Sequence, residues 1–371
     1  MSTVNLDGRS QATTPTGGAQ PHQSAMSRAS ANERRRRAVR WAQQSGVFFA
    51  LLTLIALFSL MTDRFLVRGN LTIVALQIAV TGIVAIPGAM LVLSGYVDLS
   101  VGSVMILSAV GFGQAFNAGV PVGWSALIGL AIGLAWGLVV NGYLIAYMGF
   151  SPVVVTLGGL ALARGLAETW SQGITIFGFG DIFGFFGTRR WLEIPIPVWI
   201  FLVVVLIGFY VWNVGPWGRR MTAIGSSPEA ALSLGVRIKK IPFLLYGASG
   251  LAAAAGGLIF TAQLDAASLS IGQGLELQVL TAILLGGVSF TGGRGTLGGV
   301  LSGLLFLGVL RNGLVLTGVG VFLQQAAIGT ALLFAAFLDA LYRRLERVAV
   351  EEQDEGPDWS DESASRTEME P

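Results

Sequence analysis

Apolar positions along this chain come in long runs with few interruptions. Residues 41–62, 69–97, 194–218, 241–264 and 312–338 each contain no Asp, Glu, Lys or Arg, and residues 99–163 form 65 uncharged positions in a row. A helix needs about 20 predominantly apolar residues to cross a bilayer, so the longest run is enough for about three. Turn chemistry separates the runs. Asn117 to Gly123 reads NAGVPVG, and MGFSP at 148–152 ends in a proline that pushes Ser151 out of helical geometry. TGGRGT at 291–296 is too glycine-rich for a helix interior. The pattern predicts an all-α fold, a polytopic membrane bundle of about ten transmembrane helices. They fall at roughly 45–62, 70–94, 98–117, 122–146, 151–170, 196–213, 241–262, 276–289, 296–316 and 319–341. A β-barrel would show short alternating segments instead.

Composition narrows the chemistry. The chain is 53% hydrophobic and 12% charged, with a mean hydropathy of +0.69, whereas soluble domains carry roughly a quarter charged residues. It has no Cys, and its one His, His22, lies in a polar tail. Disulfides, thiolate chemistry, His-based metal sites and His acid–base catalysis are thereby removed from the core. Residues 1–44, rich in Ser, Ala, Gln and Gly and containing ERRRRAVR, read as a disordered basic cytoplasmic tail. The long polar lead-in and the lack of a small-residue cleavage site make Val47–Met61 an uncleaved first span. Residues 45–342 form the transmembrane domain, with a cytoplasmic loop at 215–240, and 343–371 a polar acidic cytoplasmic tail.

Charge orients the bundle. With the N-terminus inside, the cytoplasmic side receives Arg34–Arg37, Arg40, Arg219, Arg220, Arg237, Lys239, Lys240, Arg294, Arg343, Arg344 and Arg347. The outside receives Arg64, Arg68, Arg189 and Arg190. The positive-inside rule predicts cytoplasmic termini, and ten crossings give the same parity.

Glycine is abundant, at 51 residues, with runs such as GLAIGLAWG and GASGLAAAAGG inside predicted spans. Small residues let helix backbones approach closely in lipid, so close packing is the expected role of most. LSGYVDLSVGS at 93–103 and LGGVSFTGGRG at 285–295 echo each other weakly. Both are apolar runs that stop at Gly and resume after a small polar break, a hint of duplicated architecture.

The loop from Gly215 to Pro242 contains a short helix marked at both ends. Ser227 suits the N-cap and Pro228 the first helical position. Glu229 falls in the first turn, where the helix dipole favours an acid. Ala230, Ala231, Leu232, Ser233 and Leu234 continue it, and Gly235 suits a left-handed stop. About two turns are too few for stability alone, so the helix needs a docking surface on a partner or on its own bundle.

The lone acid of the long apolar region is Asp98, at a break between two runs. Two compatible readings stand. Asp98 caps the following segment, with Leu99, Ser100 and Val101 as its first turn. Alternatively it lines a polar path with Ser94, Ser100 and Ser103. Asn141 is a further interior polar candidate, equally explained by hydrogen bonding between helices. Arg164 and Arg311 fall towards the outer ends of their spans, where snorkelling or a buried pair is expected ahead of substrate contact.

EAALSLG is similar to the cytoplasmic EAA-type loop of ABC importer permeases: Glu, two Ala, three residues, then Gly. LSGYVDLSVGS, PVVVTLGGLALARGL, AIGSSPEAALSLGV and ILLGGVSFTGGRGTLGG resemble, in order, signature stretches of the ribose/xylose-type sugar permeases. The resemblance runs from about residue 70 to 342. It implies an inner-membrane permease subunit, paired with a second permease copy, two ATP-binding subunits and an extracytoplasmic sugar-binding protein. The helix around Ser227, Pro228, Glu229, Ala230, Ala231 and Gly235 would then couple the permease to an ATP-binding subunit. Ser94, Asp98, Ser100, Ser103 and Asn141 are candidates for the translocation path. The only lysines, Lys239 and Lys240, follow no glycine-rich phosphate loop. No cofactor is therefore expected on this chain, and ATP would be bound by the partner. Neither a metal nor a nucleic-acid partner is expected.

Other classes fit less well. A permease for branched-chain amino acids shares the architecture at a distance, but VDLSVGS favours the sugar branch. An intramembrane enzyme would need a zinc motif, paired His or a Ser in a nucleophile elbow, and none is present. A secondary transporter usually carries several intramembrane charges for ion coupling, against which the 65 uncharged positions argue.

Overall fold

The computed structural model describes residues 46–354. The chain divides into Met1–Gly46 and Val47–Pro371, so the basic tail expected at 1–44 lies outside the described residues, as does the end of the acidic tail. The fold is all-α. Its helices are α1 (Gly46–Met61), α2 (Arg68–Leu93), α3 (Val101–Asn117), α4 (Val122–Ala135), α5 (Pro152–Ser171), α6 (Asp181–Thr188) and α7 (Ile196–Phe209). They continue with α8 (Pro216–Ser226), α9 (Pro228–Ser233), α10 (Lys240–Leu264), α11 (Leu275–Leu285), α12 (Leu297–Leu316) and α13 (Val321–Asp354). α4 runs on without a break as a π-helix, Trp136–Tyr147, and α7 does so over Tyr210–Val214.

Seven of the described helices or helix pairs are long and apolar enough to cross a membrane, and α1, α3 and α11 are shorter apolar helices. Which helices are central follows from their sequences. α2 carries apolar residues all round and is buried from Ile78 to Leu93 except at Thr81. An all-apolar helix in a bundle interior needs no polar face. α3 is buried continuously from Val101 to Gly113, and α10 packs against α2, α3, α4 and the π-helix. The outer helices α5, α7 and α13 leave large apolar side chains such as Val154, Leu206 and Leu333 exposed, as lipid requires.

The predicted close packing of glycines is realised between α4 and α10. A Cβ at Gly133 would strike the Gly250 carbonyl oxygen, and one at Gly137 the Tyr246 carbonyl oxygen. The backbones touch, and any larger residue would force the helices apart.

Short strands tie the loops together at the end of the bundle where α3 finishes. β1 (Ile176–Phe177) pairs antiparallel with β4 (Ala266–Ala267), Ile176 opposite Ala267, and β2 (Arg190–Trp191) pairs with β3 (Ile194–Pro195). The Asp265 carboxylate accepts from the Phe179 amide at 2.9 Å, and Phe112 stacks on Phe183 at 4.3 Å between ring centroids.

From β4 the chain turns down into the bundle. Ala267 lies level with Gly113, whose Cβ would meet it, while Gly272 lies against Gly102 and Met105. Gly102 to Gly113 is about 16 Å along α3 at 1.5 Å per residue. The seven residues 268–274 therefore descend deep beside α3 before α11 begins. α11 has 11 residues, about 16 Å or half the ~30 Å hydrocarbon thickness. The span expected at 276–289 is thus a half-helix preceded by a re-entrant segment. Gly272 and Gly274, at φ of +75° and +74°, make the turn that starts it.

Candidate functional site

Ser94 ends α2, Gly95 takes φ +82°, and residues 95–100 run without helix until α3 begins at Val101. Such a break at the heart of a bundle leaves backbone groups needing partners. Asp98 supplies some of them, though not as a helix cap. Its Oδ1 accepts from the Ser100 amide at 3.0 Å, the Ser100 hydroxyl at 2.7 Å and the Asn141 side-chain amide at 3.3 Å. Its Oδ2 accepts from the Ser249 hydroxyl at 2.8 Å. The capping expectation, with Leu99–Val101 as first turn, is corrected: Ser100 holds the N-cap position, and the carboxylate closes a local turn and fastens the break to two other helices. Asn141 also donates to the Ser100 hydroxyl at 2.9 Å, and Tyr246 donates to the Val97 carbonyl oxygen at 2.9 Å.

Asp98, Ser100 and Asn141 are thus brought together. Ser94 is not among them; it is buried and donates back to the Met90 carbonyl oxygen at 2.9 Å. Ser103 faces elsewhere, into a cavity of about 400 Å³ between α3, α5, α11 and α13. Other polar side chains lining it are Arg164, Gln273, Glu276, Gln278, Thr281 and Gln325. α5 separates the two polar regions: Gly159 packs towards Asn141 and Ser100, and the next residue, Leu160, lines the cavity.

For Arg164 the expected pair is present, though partly exposed and not buried, and the side chain also borders the cavity. Arg164 is the thirteenth of the 20 residues of α5 and pairs with Glu168 at 3.0 Å. Arg311, near the end of α12, is exposed and donates to Gln278 at 3.2 Å, in keeping with a position towards the outer end of its span. Sequence reasoning passed over 268–278, SLSIGQGLELQ, although two glycines, a Glu and two Gln there stand out against apolar surroundings.

The two breaks that echo each other in sequence meet in space. The Gly293 amide donates to the Leu93 carbonyl oxygen at 2.8 Å. Gly225, near the end of α8, is pressed between them, and its Cβ would strike both the Leu93 oxygen and the Gly293 nitrogen. α8 itself was missed at the sequence level. Its signal is Pro216 at the first position and Gly218, Met221 and Ile224 buried at a spacing of three, with Arg219 and Arg220 exposed.

α9 follows directly. Ser227 is the N-cap, with its hydroxyl accepting from the Ala230 amide at 3.2 Å. Pro228 takes the first position, Glu229 lies in the first turn and Gly235 has φ +75°. Ala231 is buried, and Glu229, Ala230, Leu232 and Leu234 are exposed, Leu234 at 80%. The helix is anchored by one small residue and displays two leucines.

Similarity to known proteins agrees with this architecture. The ribose import permease of Bacillus subtilis (strain 168) is 34% identical over 299 residues, 80% of this chain and 92% of the relative. The ribose import permease of Escherichia coli (strain K12) is 34% identical over 306 residues, 81% and 94% of the two chains. The fructose import permease of Rhizobium meliloti is 33% identical over 304 residues, 80% and 84%. Residues 70–341, from the start of α2 to the apolar part of α13, match one family of transport permeases. By that match and these relatives, the chain belongs to the family described as the branched-chain amino acid transport system/permease component.

Proposed function

We propose that this chain is the membrane-spanning subunit of an ATP-binding-cassette importer for a monosaccharide of pentose or hexose type. The observation that carries the sugar assignment is the similarity, over about four fifths of the chain, to import permeases for ribose and fructose. A D-allose transport permease of Escherichia coli (strain K12), 32% identical, adds a third sugar. The family's description names branched-chain amino acids, so that solute class is the second reading.

The chain would sit in the cytoplasmic membrane with both termini inside. Its ten apolar helices would make ten crossings, α11 completing its own only with the re-entrant 268–274 segment. It would pair with a second permease copy, two ATP-binding subunits and an external sugar-binding protein. α9 would be the docking element for the ATP-binding subunit, its exposed Leu232 and Leu234 filling an apolar cleft there. Gly225 then carries motion onward, because its backbone lies against both helix breaks. The chain is not an enzyme in this reading, and ATP belongs to the partner.

The test is reconstitution. Co-purified with its ATP-binding and binding-protein partners in proteoliposomes, the chain should import a monosaccharide in an ATP-dependent manner. Failure to retain an ATP-binding subunit, or ATP hydrolysis by the rigorously pure chain alone, would remove the subunit assignment.

A further inference from the structure

We infer that the cavity between α3, α5, α11 and α13 is the station at which the solute pauses in mid-membrane, and that it takes a neutral polyhydroxylated molecule. The inference rests on the sugar-import reading and places that import in named residues.

Depth is the first argument. Leu160 and Arg164 lie in the middle of α5, and Gln325 to Leu332 reach the midpoint of the apolar part of α13. The segment 268–274 reaches the cavity from one end by dropping the length of most of α3. Non-helical backbone at such depth is tolerated where it lines a water-filled space. Discontinuous helices that begin in mid-bilayer are the usual builders of transport sites.

Chemistry is the second. Ser103, Arg164, Gln273, Glu276, Gln278 and Gln325 come from four helices and one re-entrant segment, separated by as much as 222 positions, yet they border one space. Polar side chains in hydrophobic spans are costly, and here they converge. Three primary amides offer donors and acceptors together, which suits hydroxyl groups that are both. One guanidinium and one carboxylate leave the lining without net formal charge, and the Arg164 Nε is already held by Glu168. About 400 Å³ falls within the range of roughly 300–1,000 Å³ usual for small-molecule sites. Packing is tight where α3 meets the re-entrant segment: a Cβ on Gly102 would strike the Glu276 carboxylate and the Gly272 carbonyl oxygen.

The chain's lack of Cys makes the test direct. Ser103→Cys and Gln325→Cys are introduced singly into the full complex in proteoliposomes. Leu202→Cys, at an exposed position of α7 away from the cavity, is the control. Each is treated with a small charged methanethiosulfonate, and uptake of a panel of monosaccharides and of leucine is measured beside ATP hydrolysis stimulated by loaded binding protein. We expect uptake to fall by about tenfold or more after modification at 103 and 325, with hydrolysis within about twofold and the control unchanged. Sugar-loaded binding protein with ATP should slow labelling at Gln325→Cys. Gln325 is exposed, so its replacement does not disturb the core, and that variant alone decides should Ser103→Cys not assemble. Undiminished sugar uptake after complete modification at 325 overturns the inference while leaving the import reading intact. Uptake of leucine and of no sugar by the unmodified protein overturns the import reading, and with it the ligand class assigned here.

Discussion

Asn70 and Asn312 exchange two hydrogen bonds, the Nδ2 of each donating to the Oδ1 of the other at 2.8 Å. Both are buried, one on α2 and one on α12, and Asn70 spends its second amide hydrogen on the Phe65 carbonyl oxygen. Asn312→Leu leaves one N–H and the Oδ1 of the Asn70 side-chain amide without their partner. It should destabilise the detergent-solubilised protein by about 1–2 kcal/mol. Asn70→Leu/Asn312→Leu should cost less than the sum of the single changes, because no orphaned amide of the pair remains. Thermal unfolding followed by size-exclusion measures this, and strict additivity would mean that the pair contributes nothing as a pair.

Asp98→Asn should retain assembly and most uptake. Its Oδ1 can still accept from Ser100 and Asn141, and the Ser249 hydroxyl can turn to accept from the new amide. Asp98→Leu removes the acceptor from all of these donors and should abolish assembly. Membrane amounts and uptake are compared for both. An Asn variant that assembles normally but does not transport would assign the negative charge itself to the path.

Gly225→Ala adds one carbon where the Leu93 oxygen and Gly293 nitrogen already stand. Two of those contacts are backbone and cannot rotate away, so the end of α8 must shift. The expected result is normal membrane insertion, stimulated ATP hydrolysis largely retained, and uptake reduced by about tenfold or more. Normal uptake would show that the node is not part of the coupling route.

Gly235 offers a cleaner separation of backbone from contact. Nothing lies near a Cβ built there, so only its φ of +75° resists substitution. Gly235→Val should cost about 1–2 kcal/mol of local geometry and weaken both ATP-binding-subunit pull-down and uptake. Gly235→Asn, which tolerates left-handed backbone, should stay near wild type. Glu229→Lys reverses a helix-dipole contact normally worth about 0.3–1 kcal/mol and should weaken the same pull-down. Equal behaviour of Val and Asn at 235 would mean that the left-handed stop is unimportant.

Orientation is measured with the same Cys-free background. Single Cys residues at Ser226, at the end of α8, and at Ser268, just past β4, should be labelled from the cytoplasmic and the outer side respectively. Labelling of both from one side would break the ten-crossing topology.

Local signals were legible in the sequence, and contacts between distant segments were not. α9 is legible because its Ser227 cap, Pro228 and Gly235 act within eight residues, and each has one dominant backbone preference. Long apolar helices are legible because length and hydropathy alone define them. The half-length of α11 was not, since an apolar run does not state the depth at which it starts. Asp98 was read as a cap because that needs only its neighbours, whereas its actual partners Asn141 and Ser249 lie 43 and 151 positions away. The cavity was hidden for the same reason: the sequence offers Arg164 a snorkelling role or a pair, and Glu168 supplies the pair, but its neighbours across the space come from distant segments.

The reach from Asp98 to Ser249 also sets an order on how the chain is made. α2 and α3 leave the ribosome long before α10, which carries both the hydroxyl that meets Asp98 and the phenol of Tyr246 that meets Val97. A nascent chain halted before residue 240 therefore holds a half-satisfied carboxylate in lipid, beside a groove where α10 belongs.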